Sequence, residues 1–122
     1  MRSILLDELR AQEVAEVKEY LKTKAAPSGV EDLFWLDLPR DLWNENQIDG
    51  FESGLPEAAK TFRLAVEVGQ DWVRFELLVR SDSLHNIGGG QADERQVMFA
   101  LKWADKMAMD LSLTSCLPPE RH

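Results

Sequence analysis

The chain is predicted to be an α+β two-layer sandwich in the order α-β-β-β-α, a three-stranded antiparallel sheet with the terminal helices on one face. Three observations carry that expectation. Apolar residues recur at helical spacing near each end, they alternate strictly through residues 61–80, and a second alternating run stands at 32–39. At 122 residues the chain is expected to be one domain, 1–122, large enough to bury a core without disulfides or metal.

Taken in order, "ILLDELRAQEVAEVKEYLKTKA" (4–25) reads as a helix with Ser3 as its N-cap. Leu6, Leu9, Val14, Val17 and Leu21 approximate one apolar side, while Glu8, Glu13, Glu16 and Glu19 are expected in water. "APSG" (26–29) ends it, because proline cannot continue a helix and glycine turns the chain. "DLFWLDLP" (32–39) reads as a strand closed by Pro39. In residues 40–60 a short helix over "RDLWNENQ" is followed by loop; a calcium loop is excluded there, since Gly50 at the turn position puts Pro56 where the bidentate glutamate belongs.

"TFRLAVEVGQDWVRFELLVR" (61–80) reads as a β-hairpin. Placing Gly69 and Gln70 in a two-residue type II′ turn sets Val66 opposite Val73, Leu64 opposite Phe75, Phe62 opposite Leu77 and Arg63 opposite Glu76. A shift of two residues keeps the faces and pairs Glu67 with Arg74, but takes glycine out of its turn position, so the first register is preferred. The last helix is predicted over 93–111. Asp93 and Gln96 form a capping box, and Val97, Ala100, Leu101, Ala104, Met107, Ala108 and Leu111 form an apolar stripe. Both helices should cover the sheet face bearing Phe34, Leu36, Phe62, Leu64, Val66, Phe75 and Leu77.

Charge excludes several functions. The net charge is −8, from 22 acidic and 14 basic residues without a basic cluster, which argues against nucleic acid and against anionic membranes. No apolar run approaches the ~18 residues of a membrane span, and "MRSILLDELR" does not fit a signal peptide, so a cytoplasmic protein is expected. The single cysteine, Cys116, has only the tail residue His122 as a nearby base and reads as a small apolar residue. Two histidines and one cysteine do not make a structural zinc site, so neither metal nor cofactor is expected. No catalytic residue is assigned: Ser81, Asp82, Ser83 and His85 are neighbours in sequence, but neighbours at a strand end point different ways.

The element order is that of the double-stranded RNA-binding domain, yet the place of that family's lysine cluster reads "ADERQ" (92–96). It is also the order of the restriction-nuclease core, whose Glu-x-Lys is missing from "EVG" at Glu67 and "ELL" at Glu76. In size, acidity and element order the chain is similar to small acidic secretion chaperones, which bind partner proteins as dimers. That resemblance covers no diagnostic residue, and the extra strand pair and third helix of that family are not expected in this chain, so it transfers no site.

Two candidate sites emerge. The sheet's second face should carry Trp35 and Trp72 with Leu33, Ala65 and Leu78, beside Arg63, Arg74, Arg80, Glu67 and Glu76. Tryptophan and arginine dominate binding hot spots, so Trp35, Trp72 and Arg74 are candidate binding residues, with Trp103 on the last helix a further contact. The competing expectation is that residues 40–60 fold across this face, with Trp43 and Phe51 on the two tryptophans. The second candidate is "SLHNIGGGQADERQ" (83–96). Arg80, His85, Gly88, Gly89 and Gly90 precede a helix N-terminus, which attracts anions, but Asp93 as cap would already use those donors. That stretch reads first as a strand-to-helix connection. The expected function is a small acidic protein-interaction domain, chaperone- or adaptor-like, without catalysis, binding a protein partner or itself as a homodimer. The alternative is a small-anion or nucleotide binder, or an enzyme, using the 85–93 loop.

Overall fold

In a computed structural model the described residues are 2–44, 62–81 and 90–113. They form β1 (Ser3–Leu6), α1 (Ala11–Lys24), β2 (Ala26–Pro27), β3 (Leu33–Asp37), a single 3-10 turn (Arg40–Leu42), β4 (Phe62–Val68), β5 (Val73–Glu76), β6 (Leu78–Ser81), β7 (Gly90–Gln91) and α2 (Glu94–Asp110). The α+β class stands, but the three-stranded sheet of the sequence reading is replaced by a seven-stranded antiparallel one.

The extra strands come from places where local signals were ambiguous. Ile4 and Leu6 fit a strand and a helix equally well. They lie in β1, where Ser3 faces Glu76, Ile4 faces Phe75, Leu5 faces Arg74 and Leu6 faces Val73. Pairing with β5 satisfies backbone groups along what would otherwise be an open edge, a gain invisible to helix periodicity. Ser3 is therefore a strand residue, and the helix starts only after Glu8 takes a left-handed φ of 57°. Arg10 occupies the N-cap, and Glu13 accepts hydrogen bonds from its backbone N at 2.9 Å and its Nε at 3.2 Å. Glu13 is thus buried rather than in water. These donors hold its carboxyl below the usual range, the backbone N–H being the leading cause.

β2 and β7, two residues each, arise from stretches read as connections. β2 continues the sheet beyond β3, and β7 pairs with β6. The predicted second hairpin strand is broken in two. Val66 faces Phe75 while Arg63 faces Arg80, so three steps along β4 match five along the partner. The two extra residues fall within 76–79, where Leu77 separates β5 from β6, and form a bulge. Because side chains alternate with period two, an even insertion keeps Val73, Phe75, Leu77 and Val79 all on the buried face. At the bulge the Leu77 N–H donates to Arg2 O, and Leu77 O accepts from Ala92 N. β1 and β7 thus share the outer edge, and Arg2 Nη2 ties them by donating to Ala92 O at 2.7 Å.

The hairpin register also differs. Val68 faces Val73 and Glu67 faces Arg74, so Gln70 and Asp71 form the turn and Gly69 faces Trp72. Gly69 does not have positive φ. A Cβ there would lie 2.0 Å from Trp72 Cε2. Glycine is needed because the indole lies over it, the arrangement by which an aromatic covers a cross-strand glycine.

Both helices lie on the predicted face. Val17, Leu21, Leu64, Val66, Phe75 and Met107 are fully buried. Tyr20 on α1 meets Trp103 on α2 edge-on at 5.7 Å, and its hydroxyl donates to Asp110 at 2.9 Å. The capping box of α2 is present: Gln96 N donates to Asp93 Oδ1 at 3.0 Å, and Asp93 N to Gln96 Oε1 at 3.1 Å. Ser112 closes the helix in a Schellman motif, with Leu113 N donating to Ala108 O and Ser112 N to Met109 O. Within the predicted stripe, Ala100, Ala104, Met107 and Ala108 are buried, but Leu101 is 47% exposed. No helix among the described residues is long and apolar enough to cross a membrane.

Candidate functional site

The face of the sheet away from the helices is built by alternation along β1, β3, β4, β5 and β6. Cross-strand pairing arranges it in rows. Leu33, Glu67, Arg74 and Leu5 make one row, Ala26, Trp35 and Ala65 the next, and Asp37, Arg63 and Arg80 the third. Trp72 stands beyond the first row, opposite Gly69. The two tryptophans are therefore two rows apart, ~14 Å along the strands at ~3.4 Å per residue.

Each tryptophan carries an arginine. The Arg63 guanidinium sits 5.0 Å from the Trp35 ring centre, and that of Arg74 sits 5.3 Å from Trp72. Such cation–π contacts contribute about 0.5–1 kcal/mol at exposed sites and hold both groups in one orientation. Arg74 Nη2 also pairs with Glu67, which it faces directly across the β4–β5 ladder. Arg80 pairs with Glu76 at 3.4 Å, which offsets its position opposite Arg63. Trp35 and Trp72 are half-buried. Leu5 is 52% exposed, whereas Ala65, flanked by Trp35, is only 4% exposed. The face combines two orientated aromatic plates with alternating fixed charges. It can grip a surface of mixed apolar and charged groups, and among the described residues it brings together no nucleophile and base.

The structure separates the proposed contacts. Trp35, Trp72 and Arg74 share this face. Trp103 lies on the opposite side of the sheet, 5.9 Å from Phe75 and against Tyr20 in the helix-covered layer. Trp43, expected as a cover for the tryptophans, is buried on that same helix side. It stacks edge-to-face on Phe62 at 4.7 Å, with Nε1 donating to Leu38 O at 3.3 Å. Phe51 lies outside the described residues. Arg63 was named only as a neighbour from sequence. Its stack on Trp35 depends on β3–β4 register, whereas Trp72, just before β5, and Arg74 within it are two residues apart and meet by spacing alone.

Of the anion-site candidates, His85, Gly88 and Gly89 lie outside the described residues. Gly90 is in β7 opposite Val79, at φ 150°. Arg80 is engaged with Glu76, and Asp93 occupies the Gln96 N–H of the α2 terminus. Among the described residues no group of three or more histidine, cysteine or acidic side chains is placed to hold a metal. Comparison with protein-family models, curated proteins and solved structures found no match.

Proposed function

We propose that this chain is a protein-interaction domain, chaperone- or adaptor-like and without catalysis, that binds a protein partner through the second face of its sheet. One observation carries the reading: two arginine-stacked tryptophans stand on the face that neither helix covers, with an ion pair between them. Large amphipathic rings held by a neighbouring charge lose little side-chain freedom on binding, which is why tryptophan and arginine anchor interfaces. The net charge of −8 favours encounter with a basic partner surface.

The test places a photo-cross-linking residue at Leu5, which is exposed on this face beside Arg74. Irradiation in cells is expected to yield an adduct of discrete mass. Trp35→Ser and Trp72→Ser should each abolish it while the purified variants stay folded. Adduct formation unaffected by either substitution, or unfolding of both variants, would overturn the reading.

A further inference from the structure

We propose that the outer edge of the sheet, β7 followed by β1, pairs antiparallel with the same edge of a second copy of this chain, across a two-fold axis at Ser3. Leu77 joins the two short strands into one edge: its N–H donates to Arg2 O and its carbonyl accepts from Ala92 N. Those bonds fix which way each residue turns its main-chain groups. Ala92, Arg2, Ile4 and Leu6 direct theirs into the sheet, and by alternation Gln91, Ser3 and Leu5 direct theirs outward. These three stand opposite Leu78, Glu76 and Arg74, so they recur at every second position as they would in one strand. Among the described residues nothing hydrogen-bonds to their outward N–H and C=O groups, and all three residues are exposed.

A row of free main-chain groups is matched by another strand. The two edges of this sheet select which strand. The far edge is guarded: β2 has only two residues, one of them Pro27, and Asp37 puts a charge at the end of β3. Neither β7 nor β1 holds a proline or a charged residue. Pairing about a two-fold axis joins the unguarded edges of two copies and leaves only guarded ones outside, so the assembly closes as a dimer. With Ser3 on the axis, Leu5 of each copy meets Gln91 of the other. Every outward residue is then paired, with about six main-chain hydrogen bonds between the copies. Exposed apolar side chains flank this edge on both faces. Leu5, 52% exposed, lies on the tryptophan face; Met98 and Leu101, which line a shallow groove together with Arg2, lie on the other. The pairing engages neither Trp35 nor Trp72, so it and the partner-binding proposal can fail separately.

Sedimentation of the purified chain up to ~100 µM, a range that detects micromolar dimers, is expected to show a dimer and nothing larger. Leu5→Pro removes an outward N–H that the β1–β5 ladder does not use, and should weaken the dimer by about tenfold or more. Ser3→Lys and Ser3→Asp each set like charges face to face across the axis and should weaken it several-fold with helicity retained; an equimolar mixture of the two should restore it. In a Cys116→Ser background, Ser3→Cys should form a disulfide between copies, since the Cα atoms of a hydrogen-bonded pair stand ~5.5 Å apart, within disulfide reach. A monomer throughout that range overturns the proposal, as does a dimer indifferent to both charges at Ser3, or an assembly that grows beyond two copies. A dimer weakened by each charge alone and not restored by the mixture overturns the axis at Ser3.

Discussion

Substituting Gly69 by alanine tests why that residue is glycine. The new Cβ would lie 2.0 Å from Trp72 Cε2 and 2.4 Å from Cζ2 and Nε1. Carbons in contact sit ~3.5–4.0 Å apart, so the indole must retreat by about 1.5 Å. That displacement costs about 1–3 kcal/mol by analogy with overpacked sites. It also pulls Trp72 from its stack with Arg74 at 5.3 Å, a contact of about 0.5–1 kcal/mol. Urea denaturation should therefore show Gly69→Ala destabilised by about 2 kcal/mol, with a thermal midpoint roughly 6–10 °C lower. The decisive comparison is a double-mutant cycle. With Trp72→Ala already in place, Gly69→Ala should cost nothing or stabilise by ~0.5 kcal/mol, because the φ of Gly69 lies outside the left-handed region and alanine restricts the unfolded chain. Equal costs in both backgrounds would show that the backbone, not the ring, demands glycine there.

Two further outcomes follow from the titrating groups. Glu13→Ala should cost about 1–2 kcal/mol, since it strips the N-cap N–H of Arg10 of its acceptor in a buried place. Because the folded state holds the Glu13 pKa below 4.5, its contribution is complete above that value and lost as pH falls through the lowered one; acid denaturation of Glu13→Ala should show a shallower fall in that range. Tyr20 is the single tyrosine, so its ultraviolet titration is unambiguous. Burial first, and the hydrogen bond to Asp110 second, push its pKa up to about 12. The raised value means that its stabilisation is whole below pH 10 and lost as pH rises through about 12, and Asp110→Asn should bring tyrosinate formation down towards its ordinary range.

Where residue pattern and local chemistry coincide, the local structure follows from the residues alone. Asp93 and Gln96 cap α2 as their spacing demands, and β3 and β4 follow alternation that only one buried face explains. The face shared by Trp35, Trp72 and Arg74 was legible for the same reason: period two assigns sides whatever the register. That parity also hid the register. A shift of two leaves every face unchanged, so only the fit of Trp72 over Gly69 and the turn at Gln70–Asp71 decided it. Tertiary pairing likewise decided β1, because Ile4 and Leu6 satisfy either period until β5 offers them an edge. Leu101 lay in an apolar pattern wider than the groove α2 had to fill, and packing left it outside beside Met98. Local periodicity reports which side a residue takes. Which neighbour it meets is a matter of long-range contact, and the two arginine–tryptophan stacks on the uncovered face show the difference: Trp72 and Arg74 are two residues apart, Trp72 just before β5 and Arg74 within it, whereas Trp35 and Arg63 come together only once β3 has found β4.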